Sequence, residues 1–191
     1  MACEEVVDPR VKRTRGMLRT AFMELLGEKS FEDVSVADVT ERAGVNRATF
    51  YDHYTDKYGL LEDVIGEDFR GILFKRMEGT GGTCQEGIKQ LILGVCDFLT
   101  DLGSRCQKAR ALFGPIVESK VKGMVRGFLL ETLQRKNPGV PLADLELKAT
   151  MASWGIYGAA IEWSCNPEQK TDKDVFAERV RPLIMATLQI G

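Results

Sequence analysis

Apolar side chains return every three or four residues through almost all of this chain, and no sustained two-residue alternation competes with them. A repeat near 3.6 gathers the apolar positions onto one face of a helix. The expected fold class is therefore all-α. With 191 residues, 44% of them hydrophobic, the chain has ample material for a buried core.

The breaks in that repeat place the helices. A first helix is expected from about Pro9 to Gly27, with Met17, Leu18, Ala21, Phe22, Leu25 and Leu26 as its apolar stripe. Its first half carries Arg10, Lys12, Arg13, Arg15 and Arg19. The chain as a whole has 26 Lys plus Arg against 28 Asp plus Glu, a formal net charge of −2. It is not a basic protein overall, so any nucleic-acid footprint must be a local patch.

In "SVADVTERAGV", Ser35 is suited to cap a short helix, and Asp38 three residues on completes an Asp version of the capping box. Val36, Val39 and Ala43 then face one way. Gly44 stands where a left-handed C-terminal cap favours glycine. Asn46 can cap the next helix, expected over 47–54, two residues later. Two short helices joined by a glycine turn form a helix-turn-helix, whose second helix enters the major groove.

A longer helix follows through "YGLLEDVIGEDFRGILFKRM", with Leu60, Leu61, Val64, Ile65, Phe69, Ile72 and Leu73 on its apolar side. The "EGTGGT" stretch, with three glycines in four residues, should end it. Beyond it helices are expected near 84–102, 104–113, 116–136, 142–165 and 173–189, with breaks at Gly103, Gly114-Pro115, "NPGVP" and "NPEQKTDK". Pro182 should kink the last helix or mark a break near Arg181.

The segment "GVNRATFYDHYTDK" concentrates a glycine, an arginine, three aromatics and the chain's one histidine. On the helix from 47, Phe50 and Tyr54 share a face suited to packing inward. Arg47, Ala48, Thr49, Tyr51 and Asp52 remain around the exposed side and N-terminal end. Arginine donates two bonds to guanine, Thr and Tyr bond base edges or phosphates, and Ala48 permits close approach to a thymine methyl. His53 and Lys57 lie further along, placed for phosphate contacts.

The run "ADVTERAGVNRATFYDHYTDKYGLL" resembles the N-terminal helix-turn-helix of TetR-family transcriptional regulators, over roughly residues 10–75. The resemblance implies base-facing roles for Arg47, Ala48, Thr49 and Tyr51 and phosphate contacts for His53 and Lys57. Ser35 and Asn46, at the two helix starts, complete the expected DNA-binding set. It further implies a three-helix DNA-binding domain over 1–56 and a helical effector-binding and dimerisation domain over 57–191. Two departures stand out: Ala37, where many members carry a basic or polar residue, and Asp52, which places a negative charge near DNA.

In the second half, Cys96, Phe98, Phe113, Met124 and Phe128 are the expected ligand-lining set, with core packing the alternative for each. "MASWGIYGAAIEWSC" joins small residues to flanking aromatics and, with the final helix, resembles a two-helix face that pairs with its copy. Trp154, Gly155, Gly158, Ala159, Glu162 and Met185 are its expected interface residues, intramolecular packing being the alternative. Glu162 suits a dimer salt bridge or simple exposure.

Five scattered cysteines (Cys3, Cys84, Cys96, Cys106, Cys165) form no Cys-x-x-Cys pair, and one histidine cannot complete a Cys/His metal set. No metal site or cofactor is expected. The start "MACEEVVDPR" lacks a secretory pattern, and no run approaches the roughly 18 apolar residues of a membrane span. A cytoplasmic protein without membrane contact is expected. No nucleophile–base constellation supports an enzyme. The expected function is a ligand-responsive regulator, a repressor that binds a palindromic double-stranded DNA operator as a homodimer and is released by a small-molecule effector. The alternative is an adaptor or co-activator of the same fold acting through protein contacts.

Overall fold

The computed structural model of the chain describes residues 8–78, 84–105, 107–165 and 171–189. All regular structure among them is helical: α1 (Pro9–Glu28), α2 (Val36–Ala43), α3 (Arg47–Tyr51), α4 (Lys57–Met77), α5 (Cys84–Arg105), α6 (Gln107–Lys136), α7 (Leu142–Cys165) and α8 (Lys173–Leu188). The chain divides into two compact units, one ending at Val64 and the other beginning at Ile65. Most of the "EGTGGT" and "NPEQKTDK" stretches, together with Cys3 and Cys106, lie outside the described residues.

In the first unit α1 and α2 pack together around Leu18, Phe22, Val34 and Val39, all almost completely buried, and Phe50 of α3 closes the core. Local chemistry fixes each helix end. Asp8 caps α1, its carboxylate accepting from Arg10 N at 2.8 Å. The capping box forms at α2, with Ser35 Oγ accepting from Asp38 N at 3.1 Å and Asp38 Oδ2 accepting from Ser35 N at 2.8 Å. Gly44 ends α2 at φ 68°, in the left-handed region where a Cβ is strained. Arg42 reaches back to α1 with two 2.8 Å bonds to Glu28.

In the second unit α5 packs against α6, α7 and α8, and α7 against α6 and α8. Gly94 on α5 is where Leu73 of α4 seats, since a Cβ there would lie 2.6 Å from Leu73 Cδ2. The break expected at Gly114-Pro115 is absent: α6 runs unbroken through Pro115. The reason is visible in its buried residues, Phe113, Val117, Val121, Val125, Leu129 and Leu133, one every four positions. That stripe spans the proline, and packing along it outweighs the single amide donor that proline removes. α8 likewise continues through Pro182, without the break expected near Arg181. α3 in turn stops at Tyr51, three residues before its expected end, and Asp52 caps it.

Candidate nucleic-acid interface and effector pocket

α3 is presented by the caps at its two ends. Asn46 Oδ1 accepts from Thr49 N at 2.8 Å and from Thr49 Oγ1 at 3.0 Å, which fixes the start of the helix two residues after Gly44. Phe50 is fully buried, and the rings of Tyr51 and Tyr54 pack against it with centroids 5.4 and 5.6 Å away. Tyr51 is nevertheless 52% exposed, so its ring is braced while its hydroxyl faces outward. Arg47 and Ala48 are exposed beside it. Among the described residues Arg47 has no ion pair or side-chain hydrogen bond, leaving its guanidinium available for two parallel bonds to a base edge.

A network beneath this surface holds the three elements together. Tyr54 donates to Asp63 Oδ2 at 2.6 Å, and Arg19 of α1 meets the same oxygen at 3.3 Å. Arg15 lies 5.8 Å from the Tyr54 ring centre. Burial, and then the hydrogen bond to the Asp63 carboxylate, push the Tyr54 phenol well above its ordinary range. At the start of α2, bonds from Lys29 and from Ser35 hold the Asp38 carboxyl far below the usual carboxylate range.

Arg10, Lys12 and Arg13 are exposed near the start of α1, where the Asp8 cap is the one carboxylate among the described residues of that end. The amino end of a helix already carries partial positive charge. Three cations against the single Asp8 carboxylate leave this end net positive, an arrangement that an external anion such as a phosphate would relieve.

The geometry reassigns three of the expected DNA contacts. Ser35 and Asn46 spend their side-chain oxygens on capping. Lys57 does not offer its ammonium to phosphate: Nζ donates to the carbonyls of Phe31 at 2.8 Å, Glu32 at 3.0 Å and Val34 at 2.9 Å, and lies 4.5 Å from the Phe31 ring centre. All three N–H donors are spent on the loop before α2. His53 is half-buried beside Tyr54. What remains exposed on α3 is Arg47, Ala48 and Tyr51, while Thr49 is half-buried and its hydroxyl is bonded to Asn46.

In the second unit a pocket of about 400 Å³ opens between α5, α6 and α7. Its apolar wall includes Leu99, Val117, Tyr157 and Ile161, and Glu118, Lys122 and Trp154 border it. None of the five residues expected to line a ligand site borders this pocket. Cys96, Phe98 and Phe113 are buried in the core, Phe98 with its ring 5.5 Å from Phe69, and Met124 and Phe128 are half-buried elsewhere. Lys122, absent from that expected set, had one legible signal, its i,i+4 pairing with Glu118.

The expected dimer residues separate into two groups. Gly155 faces its own unit, where a Cβ would lie 3.1 Å from Ile184 Cδ1. Gly158 has open space around it, Glu162 is exposed, and Ala159 and Met185 are half-buried. Trp154 joins Leu147 and Met151 in an exposed apolar stripe along α7, and Leu183 of α8 is exposed as well.

A glycine-turned pair of capped helices that presents Arg47 and Tyr51 gives the first unit the architecture of a helix-turn-helix. Residues 18–64 match the family model described as bacterial regulatory proteins, tetR family. Over this segment the chain is similar to the DNA-binding part of that family. An uncharacterized HTH-type transcriptional regulator of Bacillus subtilis (strain 168), YxbF, is 43% identical over 63 residues, a match spanning 32% of this chain and only 17% of that relative. Two solved structures share the fold along most of both chains. The TetR-family repressor AlkX from Dietzia sp. strain DQ12-45-1b is 20% identical, with a TM-score of 0.57 over 92% of this chain and 97% of that one. FadR from Bacillus subtilis, solved in complex with stearoyl-CoA, is 18% identical with a TM-score of 0.50 over 90% and 98%. No helix among the described residues is long and apolar enough to cross a membrane.

Proposed function

We propose that this chain is a one-component, ligand-responsive transcriptional repressor of the cytoplasm, binding an operator as a homodimer. The observation that carries the reading is the state of α3: its hydrogen-bonding needs are met by Asn46 and Asp52, while Arg47 and Tyr51 stand exposed with their polar groups unspent on the fold. A helix so capped and so short serves to present side chains. The reading is helped by AlkX being a repressor and FadR having been solved with a small-molecule complex partner.

The second copy is the partner for the stripe of Leu147, Met151, Trp154 and Leu183, each more than half exposed. Grouped apolar side chains of that size favour burial against a matching surface, and a two-fold pairing satisfies both copies at once. Trp154 belongs both to this stripe and to the pocket, so a bound small molecule and the second copy act on one ring. Ligand and DNA affinity are then linked, each weakening the other by the same factor. An electrophoretic shift with DNA from the chain's own promoter region tests the reading: wild type should bind it far better than random duplex, and Arg47→Ala should lose that preference. Equal binding of both duplexes by wild type defeats it.

A further inference from the structure

Resting on the assignment of the second unit as the effector domain, we infer that the α5–α6–α7 pocket takes an amphipathic anion, an apolar body ending in one carboxylate-like group, with Lys122 as the residue that recognises the charge.

The argument starts from the surroundings of the Lys122 ammonium. Its side chain is 16% exposed, little for a lysine at the rim of an open recess. Nζ donates to Glu118 Oε1 at 2.7 Å and lies 3.9 Å from the Trp154 ring centre. Among the described residues Glu118 is its one hydrogen-bond acceptor, so two of the three N–H donors are unspent. Its charge is thus partly desolvated, fixed in place by an aromatic face, and still able to donate.

The walls then set the rest of the ligand. Leu99, Val117, Tyr157 and Ile161 supply an apolar recess that rewards a hydrocarbon or aryl body. A second recess of about 430 Å³ shares Glu118, Lys122 and Trp154 with the first and is also bordered by Ser119 and Arg126. Arg126 spends Nε on Thr150 at 3.0 Å and Nη2 on Glu146 at 3.3 Å. Lys122 therefore borders both the apolar recess and a neighbouring one that carries a second cation.

A cationic ligand fits this arrangement poorly. The Trp154 face it would seek is occupied by Lys122, and it would meet that ammonium at close range. A neutral ligand without an acceptor would leave the two unspent donors unpaired, and one with a neutral oxygen would give a weaker bond than a carboxylate. An anion engages them directly, and the half-exposed Glu118 can swing into water as the ligand group takes its place.

The test uses the full chain and two fluorescent probes of matching aryl shape, 8-anilinonaphthalene-1-sulfonate, which is anionic, and N-phenyl-1-naphthylamine, which is neutral. Wild type should prefer the anionic probe. Lys122→Met should weaken that probe about tenfold and leave the neutral one unchanged, the loss expected of one charge-assisted contact. Glu118→Gln, which removes the competing carboxylate, should tighten the anionic probe and again spare the neutral one. Ile161→Trp, which fills the recess, should abolish both. Equal wild-type affinities, no response to Lys122→Met, weaker anionic binding in Glu118→Gln, or binding that survives Ile161→Trp each overturns the inference. The titration needs no DNA, so it can fail while operator binding persists, and operator binding can fail while probe selectivity persists.

Discussion

Lys57→Met separates a structural lysine from a phosphate-binding one. Lys57 holds three carbonyls that converge from Phe31, Glu32 and Val34, all within 3.0 Å of Nζ. The Glu32 bond is exposed and its carbonyl can turn to water, whereas the other two are part-buried. A hydrogen bond to a charged group contributes about 1.5–3 kcal/mol, and a buried acceptor left unpaired costs a similar amount. Losing two such bonds should therefore destabilise the first unit by about 3 kcal/mol, with methionine retaining the contact of the stem with Phe31. For a unit of this size that lowers the melting temperature by more than about 10 °C. Lys57→Arg should restore little, because a planar fork cannot point three donors at three converging carbonyls. Circular dichroism melts, with amide exchange across α2 and α3 to locate the loss, measure the effect. Salt dependence of binding to random duplex supplies the other arm. A phosphate contact would leave the melt unchanged and reduce the salt slope by about 1. That result would refute the structural assignment.

Four further outcomes follow from the same geometry. Arg47→Ala and Tyr51→Phe should weaken operator binding more than random-duplex binding, by about 1–3 kcal/mol for each lost base contact, while Lys12→Ala should weaken both duplexes alike in a fluorescence anisotropy titration. With its folded-state pKa raised, Tyr54 favours the fold while protonated, so its contribution is complete below about pH 10 and is lost as pH rises beyond; a phenolate absorbance titration should show one of the four tyrosines ionising last, together with unfolding. Asp38 has the opposite sign: its depressed carboxyl stabilises the capping box above about pH 4 and ceases to do so as pH falls further, so Asp38→Asn should shift the acid end of the stability profile and leave the alkaline end in place. Gly158→Arg, at a position with open space, should fold normally as judged by helical content yet sediment as a monomer, because it forces an unpaired charge into the apolar face.

What the sequence made legible is what short-range chemistry decides. The capping box at Ser35 and Asp38, the left-handed Gly44 and the Asn46 cap all act within three residues, so spacing alone located α2 and the start of α3. The inward pair Phe50 and Tyr54 followed from helical spacing, although the helix itself ends at Tyr51. Lys57 was misread because its partners lie 23 to 26 residues away along the chain. No local pattern announces carbonyls that only a folded loop brings together. Pro115 misled for the complementary reason: a breaker rule is local, whereas the buried stripe from Phe113 to Leu133 that carries α6 through it is set by packing. The residues bordering the α5–α6–α7 pocket were equally illegible, since they come from three helices whose meeting is a tertiary fact, while Cys96, Phe98 and Phe113 went to the core.

Nuclease footprinting on the DNA upstream of the chain's own gene tests the central claim most directly. Two copies of α3 related by a two-fold axis should protect an imperfect inverted repeat, with half-site centres about 34–36 Å apart or a multiple of that spacing. Arg47→Ala should erase the protection while leaving weak, salt-sensitive coverage of the whole fragment. Protection of a single asymmetric site, or a pattern that Arg47→Ala leaves intact, would contradict the assignment of α3 as the reading helix of a symmetric dimer.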